Sequence, residues 1–398
     1  LRFIMIKVPV YMDYHATTPV DQRVVEAMIP FFTEYFGNAA SLQHRFGWIA
    51  KEAVEQARKK IADAIGALPR EIVFTSGATE SNNLAIKGAA ESLRRKGNHI
   101  ITTQVEHQCV LESCKRLEER GFSVTYLPID SYGRVSVDDV KHAVTPHTIL
   151  VSVMMANNEI GTIQPIEEIG ALCKQLGIVF HTDAVQALGK IPIDVNRMNI
   201  DLLSLASHKV YGPKGVGALY IRSQHPRVVV QPQMDGAGHE HGIRSGTLNV
   251  PGIVGFGKAV QIAVEVLNEE SVRLARLRDR LQKKLLAIEH TSLNGHPTNR
   301  LPNNLNITFH GVRADQLMTE AKEIAVSAGS ACVSEEIGES DYSHVLRAIG
   351  LNPEAGRSTI RFGLGRFTTE DEVDYVAERI SHVVHSLRTL ALEGVQTL

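Results

Sequence analysis

The sequence has 398 residues, a length that predicts two domains rather than one. Hydrophobic residues make up 43% of it and charged residues 22%, which is typical of a globular protein with a full core. Lys and Arg total 42 against 44 Asp and Glu, so the charge balance gives no general attraction to nucleic acid or to membranes. Continuous apolar runs stay short of the roughly 18 residues that a membrane span needs.

The cysteines are few and scattered. They occupy positions 109, 114, 173 and 332 without a CxxC spacing, so neither a disulfide framework nor a zinc site is expected. The pair His239 and His241 lacks further ligands at metal-binding spacing, and no metal is expected there either. Unpaired cysteines are typical of a reducing compartment, which predicts a cytoplasmic location. The first stretch lacks a signal-peptide pattern and favours an edge strand.

Helical and strand patterns alternate from about residue 50 onward. The pattern predicts helices at 48–67, 79–97, 111–121 and 166–177, and strands at 71–77, 99–104, 122–129, 148–156, 178–185 and 201–209. Such alternation is typical of an α/β domain, with a mixed or parallel sheet covered by helices on both faces. In these sheets ligands bind at the carboxyl ends of the strands.

The pattern changes near residue 263. A long helix, kinked or straight, is predicted at 256–289, followed by strands at 304–311, 324–332 and 358–365 and a helix at 370–394. We therefore predict a large domain at 16–263 and a smaller α+β domain formed by 1–15 and 264–398. The N-terminal strand is expected to join the smaller domain.

Polar residues follow the predicted strands of the large domain. Gly77 and Thr79, in "TSGATESNN", suit an anion site at a helix start, or alternatively a structural cap. Asp183 ends the apolar strand "VFHTDAVQ" and suits a protonated ring nitrogen, or alternatively an N-cap.

Lys209 lies 26 residues after Asp183 in "LASHKVYGPKG". It is either a partly desolvated Schiff-base lysine or a surface loop lysine. His107, just after the strand "HIITT", could stack on a flat ring or move a proton, or could be an ordinary hydrogen-bonded loop histidine. Together with the anion site and Asp183, these are the groups that pyridoxal phosphate needs.

Motifs along nearly the whole chain resemble one family, the pyridoxal-phosphate-dependent cysteine desulfurases of the IscS/NifS type, within the class V aminotransferase group. The resemblance implies transferase fold type I and a homodimer. It rests on "DYHATTP", "TSGATESNN", "NNEIGTIQPI", "HTDAVQ", "SHKVYGPKGVG", "HGIRSGTLN", "SAGSACVS" and "IRFGLGRFT".

The resemblance implies a role for each matching residue. Lys209 would form the Schiff base, Asp183 would bind the pyridine nitrogen and Gln186 the ring hydroxyl. Thr247 would reach the phosphate of the other subunit. The full set of implied cofactor contacts is Lys209, Ala78, Thr79, His107, Asn158, Asp183, Gln186, Ser207, His208 and Thr247.

The implied substrate is L-cysteine, whose carboxylate would be bound by Asn158 and Arg361. Arg357 is the competing arginine. In the implied reaction Lys209 shuttles a proton at Cα, His107 acts as an acid or base, and the Cys332 thiolate attacks the substrate sulfur. The products are L-alanine and a persulfide on Cys332.

Two departures from the family pattern affect the details. Ala206 replaces the serine that usually stands three residues before the lysine, so one phosphate hydrogen bond is either lost or supplied by Ser207. The chain ends at "LEGVQTL", without the longer tail that helps housekeeping members to dock an iron–sulfur scaffold. Iron–sulfur assembly is the expected use of the sulfur, and thiolation of tRNA, of a cofactor or of DNA is the alternative.

The region around Cys332, at about 327–342, resembles the long-loop form of the family. We expect a cysteine that collects sulfur at the cofactor and swings outward to a sulfur-acceptor protein, on a loop that is poorly ordered alone. A selenocysteine lyase or an aminotransferase of the same fold is one alternative function. A non-catalytic sulfur carrier is another. No membrane or direct nucleic-acid partner is expected.

Overall fold

The computed structural model describes residues 6–328 and 342–396, and Cys332 lies outside them. Within these ranges the strands are β1 (Val10–Tyr11), β2 (Ile72–Thr75), β3 (His99–Thr103), β4 (Ser123–Leu127), β5 (Thr148–Ser152), β6 (Val179–Asp183), β7 (Leu202–Ala206), β8 (Gly217–Ile221), β9 (Thr291–Leu293), β10 (Asn304–Phe309), β11 (Ile324–Ala325) and β12 (Thr359–Gly363).

The helices are named in the same way. They are α1 (Gln22–Met28), α2 (Pro30–Thr33), α3 (Arg45–Ile65), α4 (Ala78–Leu93), α5 (Gln108–Glu118), α6 (Val137–Ala143), α7 (Ile166–Leu176), α8 (Val250–Leu285), α9 (Ala314–Glu320), α10 (His344–Ala348), α11 (Pro353–Arg357) and α12 (Glu370–Gln396).

The largest sheet has seven strands in the order β2-β8-β7-β6-β5-β3-β4. Strands β7, β6, β5, β3 and β4 are parallel, whereas β8 runs antiparallel to both β7 and β2. Most of its strands are buried throughout and therefore read as continuous apolar runs rather than as alternating ones. Strand β8 is not among the strands predicted from the sequence, and neither is its antiparallel direction.

Helix α3, one of the helices packed with this sheet, shows how the sequence determines where a helix begins, where it ends and which face is buried. Nδ1 of His44 accepts a hydrogen bond from the Gly47 N–H at the start, and Gly66 ends the helix at φ 72° in the left-handed region. Its buried face repeats at helical spacing and carries Ala50, Val54, Ala57, Ile61 and Ile65.

Helix α8 is one continuous helix of 36 residues, without a break between its two halves. Its first half packs into the core of the large sheet through Ile253, Phe256 and Val260, and its second half into another core through Leu277 and Leu281. It is the one described helix long and apolar enough to cross a membrane on composition, yet 56% of its apolar window is buried inside the protein. A core helix has this property.

The second core lies over a three-stranded antiparallel sheet in the order β12-β10-β9, with α12 packed against it. Strand β1 pairs in parallel with β11, through Val10 with Ile324 and Tyr11 with Ala325. The N-terminal strand therefore joins the C-terminal part of the chain, as expected. The division into domains at 16–263 and 264–398 stays a prediction.

Candidate active site

A cavity of about 500 Å³ lies at the carboxyl ends of the parallel strands. Its volume is in the usual range for a small-molecule site. Most of the residues expected from the sequence line it, namely Ala78, Thr79, His107, Asn158, Asp183, Gln186, His208, Lys209 and Arg361.

One end of the cavity has the features that suit an anion. Ala78 and Thr79 form the first turn of α4, where backbone N–H groups lack helical acceptors and the helix dipole is positive. The turn before α4 passes very close to β8, since a Cβ on Gly217 would lie 2.7 Å from Gly77 Cα. Gly217 therefore permits this turn to sit against the sheet.

His208 contributes to the same end of the cavity. Its Nδ1 lies 3.1 Å from the Thr17 hydroxyl. Burial, and then the charge of neighbouring Lys209, lowers the pKa of His208 to about 4. The ring is therefore neutral near pH 7 and acts as a hydrogen-bonding group.

Asp183 is held at the end of β6 by two hydrogen bonds. Its Oδ2 accepts from Nδ2 of Asn82 at 2.7 Å and its Oδ1 accepts from the Val185 N–H at 3.0 Å. The side chain is 6% exposed and lines the cavity. A carboxylate fixed in this way suits a protonated ring nitrogen, because a buried charge needs a partner of opposite sign.

His107 is the N-cap of α5, and its ring orientation follows from that position. Nδ1 accepts a hydrogen bond from the Cys109 N–H at 3.2 Å. Since a backbone N–H can only donate, the neutral ring carries its proton on Nε2. Burial lowers the pKa of His107, Lys209 and His344 lower it further, and the charge of Asp183 opposes them.

Lys209 follows β7 at the end of a 3₁₀ turn, Ser207–Lys209. Its Nζ donates to the His15 carbonyl at 2.5 Å and to the Ala16 carbonyl at 2.6 Å. A second lysine lies behind it, with Lys190 Nζ donating to the Lys209 carbonyl at 3.3 Å. Burial, together with the charge of Lys209, lowers the pKa of Lys190 to about 7.

Arg361 is 1% exposed and reaches the cavity from β12. Its Nη2 donates to Asp13 Oδ1 at 2.8 Å and to Ser327 Oγ at 3.2 Å. Its Nη1 donates to the Asn158 carbonyl at 3.2 Å, while Nε has no acceptor among the described residues. A carboxylate oxygen would satisfy such a donor.

Other expected residues do not line this cavity. Ser207 is buried against Gly212, where an added Cβ would lie 2.0 Å from Ser207 Oγ, and Ala206 is the buried last residue of β7. Thr247 is exposed at the surface. Arg357 lines a separate pocket with Tyr342 and Ser343.

Several cavity residues were missed at the sequence level, namely His15, Glu159 and His344. His15 carries the signal used for the other site residues, because it is a polar residue just after a strand, but β1 is only two residues long. Ser343 Oγ donates to Glu159 Oε2 at 2.5 Å, a contact between residues 184 apart that no sequence pattern indicates.

Comparison with known proteins identifies the family. The aminotransferase class-V family model matches residues 10–376. The chain belongs to the class-V aminotransferase family. One relative of this class-V chain, a cysteine desulfurase IscS from Anaeromyxobacter dehalogenans, is 54% identical over 386 residues, covering 97% of the chain and 95% of the relative.

Solved structures agree with that assignment. A NifS-like protein superposes with a TM-score of 0.88 at 40% identity, covering 94% of this chain and 99% of the other. A structure described as SspA in complex with cysteine gives a TM-score of 0.79 at 42% identity, covering 90% and 100%. The expected fold type I is confirmed, and so is pyridoxal phosphate, on which class-V aminotransferases depend.

Proposed function

We propose that the protein is a cysteine desulfurase, which converts L-cysteine to L-alanine and holds the sulfur as a persulfide on Cys332. The observation that carries this proposal is the meeting of Asp183, His107, Lys209 and Arg361 in one cavity. Each comes from a different strand or loop, so their convergence supports one site that binds a cofactor ring, an amine and a carboxylate.

The residues of the cavity fit pyridoxal phosphate. Ala78, Thr79 and His208 would hold the phosphate, Asp183 the ring nitrogen and His107 the ring face. When bound, the cofactor supplies an electron sink for the bonds at the substrate Cα. Gln186 would donate a hydrogen bond to the ring oxygen through its amide nitrogen.

Arg361 and Asn158 orient the substrate. The unsatisfied Nε of Arg361 donates to the cysteine carboxylate, and burial of the guanidinium excludes water from this ion pair. Fixing the carboxylate at Arg361 orients the substrate relative to Lys209, which lines the same cavity, and this shortens the search for a reactive geometry.

Lys209 and His107 handle protons. Lys209 Nζ removes the Cα proton after it leaves the His15 and Ala16 carbonyls, and returns a proton when alanine is completed. His107 keeps its own proton on Nε2 and donates there to developing negative charge.

The sulfur transfer balances without an external oxidant. The Cys332 thiolate forms an S–S bond to the substrate sulfur while the C–S bond breaks, and both electrons of that bond stay with carbon, which is then protonated. The chain between Ser327 and Cys332 extends at most about 17 Å. Ser327 bonds to Arg361 at the cavity wall. A chain of this length is therefore long enough for Cys332 to reach the cavity or the nearby surface.

The test is to incubate the purified protein with L-cysteine and measure alanine and sulfide. Wild type is expected to be coloured and to form both products, and Lys209→Ala is expected to lose the visible band and the activity. A coloured protein that makes no alanine from cysteine contradicts the proposal. Activity with selenocysteine alone would then identify a selenocysteine lyase, and amino transfer to glyoxylate an aminotransferase. A colourless protein would identify a non-catalytic sulfur carrier.

A homodimer is part of the proposal. An apolar patch at residues 29–48 is exposed in the single chain, with Phe36 64% and Phe46 50% exposed and their rings 5.4 Å apart. Large exposed patches of this kind mark protein interfaces. The exposure of Thr247 supports its expected contact with the partner's phosphate site.

We further propose that the persulfide sulfur passes to an acceptor protein of iron–sulfur assembly, in a reducing compartment such as the cytoplasm. A reducing environment supports this chemistry because the nucleophile must be a thiolate and the persulfide must be released by a thiol. Incubation of the protein with cysteine and a cell extract, followed by labelling of persulfides, identifies the acceptor. Label on tRNA-modifying or DNA-modifying proteins instead would contradict the assignment.

A further inference from the structure

His15 is a cavity residue that the proposed reaction does not use. It follows β1, is 1% exposed and lines the cavity beside Lys209. Its ring packs against β12, where a Cβ on Gly363 would lie 2.8 Å from His15 Cδ2. The ring is therefore held in place from outside the large sheet.

Two hydrogen bonds join His15 to Gln186. Nε2 of Gln186 donates to the His15 carbonyl at 3.0 Å, and Oε1 of Gln186 lies 2.9 Å from His15 Nδ1. A carbonyl can only accept, so the Gln186 atom beside it is the amide nitrogen. The amide oxygen then faces Nδ1, which must carry the ring proton.

This arrangement fixes the charge and the tautomer of the ring. Burial lowers the pKa of His15 well below its ordinary value, and the charges of Arg361, Lys190 and Lys209 lower it further. The neutral ring with Nδ1–H leaves a lone pair on Nε2, which is buried and has no partner among the described residues. His181, a buried histidine that does not line the cavity, has both ring nitrogens hydrogen-bonded, which is the usual arrangement for buried polar groups.

We propose that His15 is a positioning residue that fixes the orientation of the Gln186 amide. A glutamine amide can be turned end for end with little change in shape, and only its partners decide which end faces the ligand. The Nδ1–H donor and the His15 carbonyl select one orientation. The second N–H of the Gln186 amide nitrogen is then directed to a ligand oxygen.

The inference rests on the proposed function, in which Gln186 donates to the cofactor's ring oxygen. His15 acts through Gln186 and does not contact the reacting atoms in this account. Lys209 Nζ also donates to the His15 carbonyl. The backbone and side chain of His15 therefore fix both the orientation of the Gln186 amide and the position of the Lys209 side chain.

The test uses three substitutions that separate the two ring nitrogens. His15→Asn keeps an N–H donor near the position of Nδ1, His15→Gln places its amide nearer the position of Nε2, and His15→Phe keeps only the ring shape. Each variant is purified with pyridoxal phosphate, and its visible absorption band is titrated with pH. His99→Asn, a change in a buried histidine outside the cavity that bonds Thr148 and Thr125, is the matched control.

We expect the pH at the midpoint of this titration to rise by about half to one unit in His15→Phe and His15→Gln, because each variant loses one hydrogen bond. The rise follows because a ring oxygen without its donor holds the chromophore's proton more tightly. His15→Asn and the control should keep the wild-type midpoint. In a Gln186→Ala background, His15→Phe should add no further shift.

An unchanged titration midpoint in His15→Phe overturns the inference. It is also overturned if His15→Asn shifts the midpoint as much as His15→Phe does, or if His15→Phe adds a further shift in the Gln186→Ala background. If His15→Phe fails to fold by circular dichroism, the Asn and Gln variants decide the outcome. The titration does not require turnover. A coloured protein without desulfurase activity would therefore contradict the proposed function but not this inference about His15. A wild type that binds no cofactor overturns both.

Discussion

Ser327 and Arg361 are bonded to each other three times. The Arg361 N–H donates to the Ser327 carbonyl at 2.8 Å, the Ser327 N–H donates to the Arg361 carbonyl at 3.3 Å, and the guanidinium donates to Ser327 Oγ at 3.2 Å. The segment that carries Cys332 therefore leaves the cavity wall at the arginine proposed to bind the substrate carboxylate. In the proposed reaction, Arg361 would therefore both bind the substrate and anchor the start of the segment that leads to Cys332.

Replacement of Cys332 should separate cofactor binding from sulfur transfer. Cys332→Ala is expected to keep the visible band but to form no protein persulfide and no alanine above background, because the attacking thiolate is gone. Alkylation followed by mass spectrometry measures the persulfide. Cys173→Ala, which removes a buried core thiol, is the control and should keep the activity. Persulfide formation at the wild-type rate in Cys332→Ala would refute this role.

The two candidate arginines should differ in their effect on KM. Arg361→Lys is expected to raise KM for cysteine about 10- to 100-fold, because one ammonium group cannot both pair with Asp13 and donate from the position of Nε to the substrate carboxylate. Arg357→Lys should leave KM unchanged, since Arg357 lines a different pocket. Steady-state kinetics on both variants measures this. The reverse ranking would assign the carboxylate to Arg357.

Glu106 should make the protein less stable as the pH rises. Burial raises the pKa of this carboxyl to about 8 in the folded protein, from 4.5, while the Met154 N–H and Thr103 oppose the shift. Between these values the folded state binds more protons than the unfolded state. The free energy of unfolding therefore falls with rising pH, by up to about 1.4 kcal/mol per pH unit.

Glu106→Gln should remove that dependence, because an amide resembles the protonated acid. Urea unfolding at several pH values between 4.5 and 8 measures the slope. Glu112→Gln, at an exposed residue paired with Lys115, is the control and should keep the wild-type slope. Equal slopes in wild type and Glu106→Gln would mean that Glu106 is ionised in the folded protein.

The apolar patch at residues 29–48 should hold two chains together. The double variant Phe36→Glu/Phe46→Glu is expected to sediment as a monomer, because two buried carboxylates would have no partners in the interface. Val272→Glu changes a side chain that is 74% exposed outside the patch and should keep the wild-type sedimentation coefficient. A wild type that already sediments as a monomer would rule out the homodimer.

Strand ends were the part of the site that the sequence could predict. Asp183 and Lys209 stand directly after apolar runs, and parallel strands bring their carboxyl ends to one edge. Ser207 shows the limit of this reasoning. Position in the sequence places it next to His208, but its side chain packs on Gly212 instead of facing the cavity.

Contacts between distant parts of the chain could not be predicted. Asp13 pairs with Arg361 across 348 residues, and Gln186 pairs with His15 across 171. No periodicity or turn signal records such pairs, because they depend on how whole layers pack. The antiparallel direction of β8 could not be predicted either, because it depends on the path that the chain takes after Lys209.

The pairing of β1 with β11 has a consequence for protein synthesis. Val10 leaves the ribosome more than three hundred residues before its partner Ile324. At a synthesis rate of about 20 residues per second, the N-terminal strand waits on the order of fifteen seconds or longer for that partner. Until then the strand just before His15 and Ala16, whose carbonyls accept from Lys209, lacks its pairing partner. A chain whose synthesis terminates before Ile324 lacks this strand pair altogether.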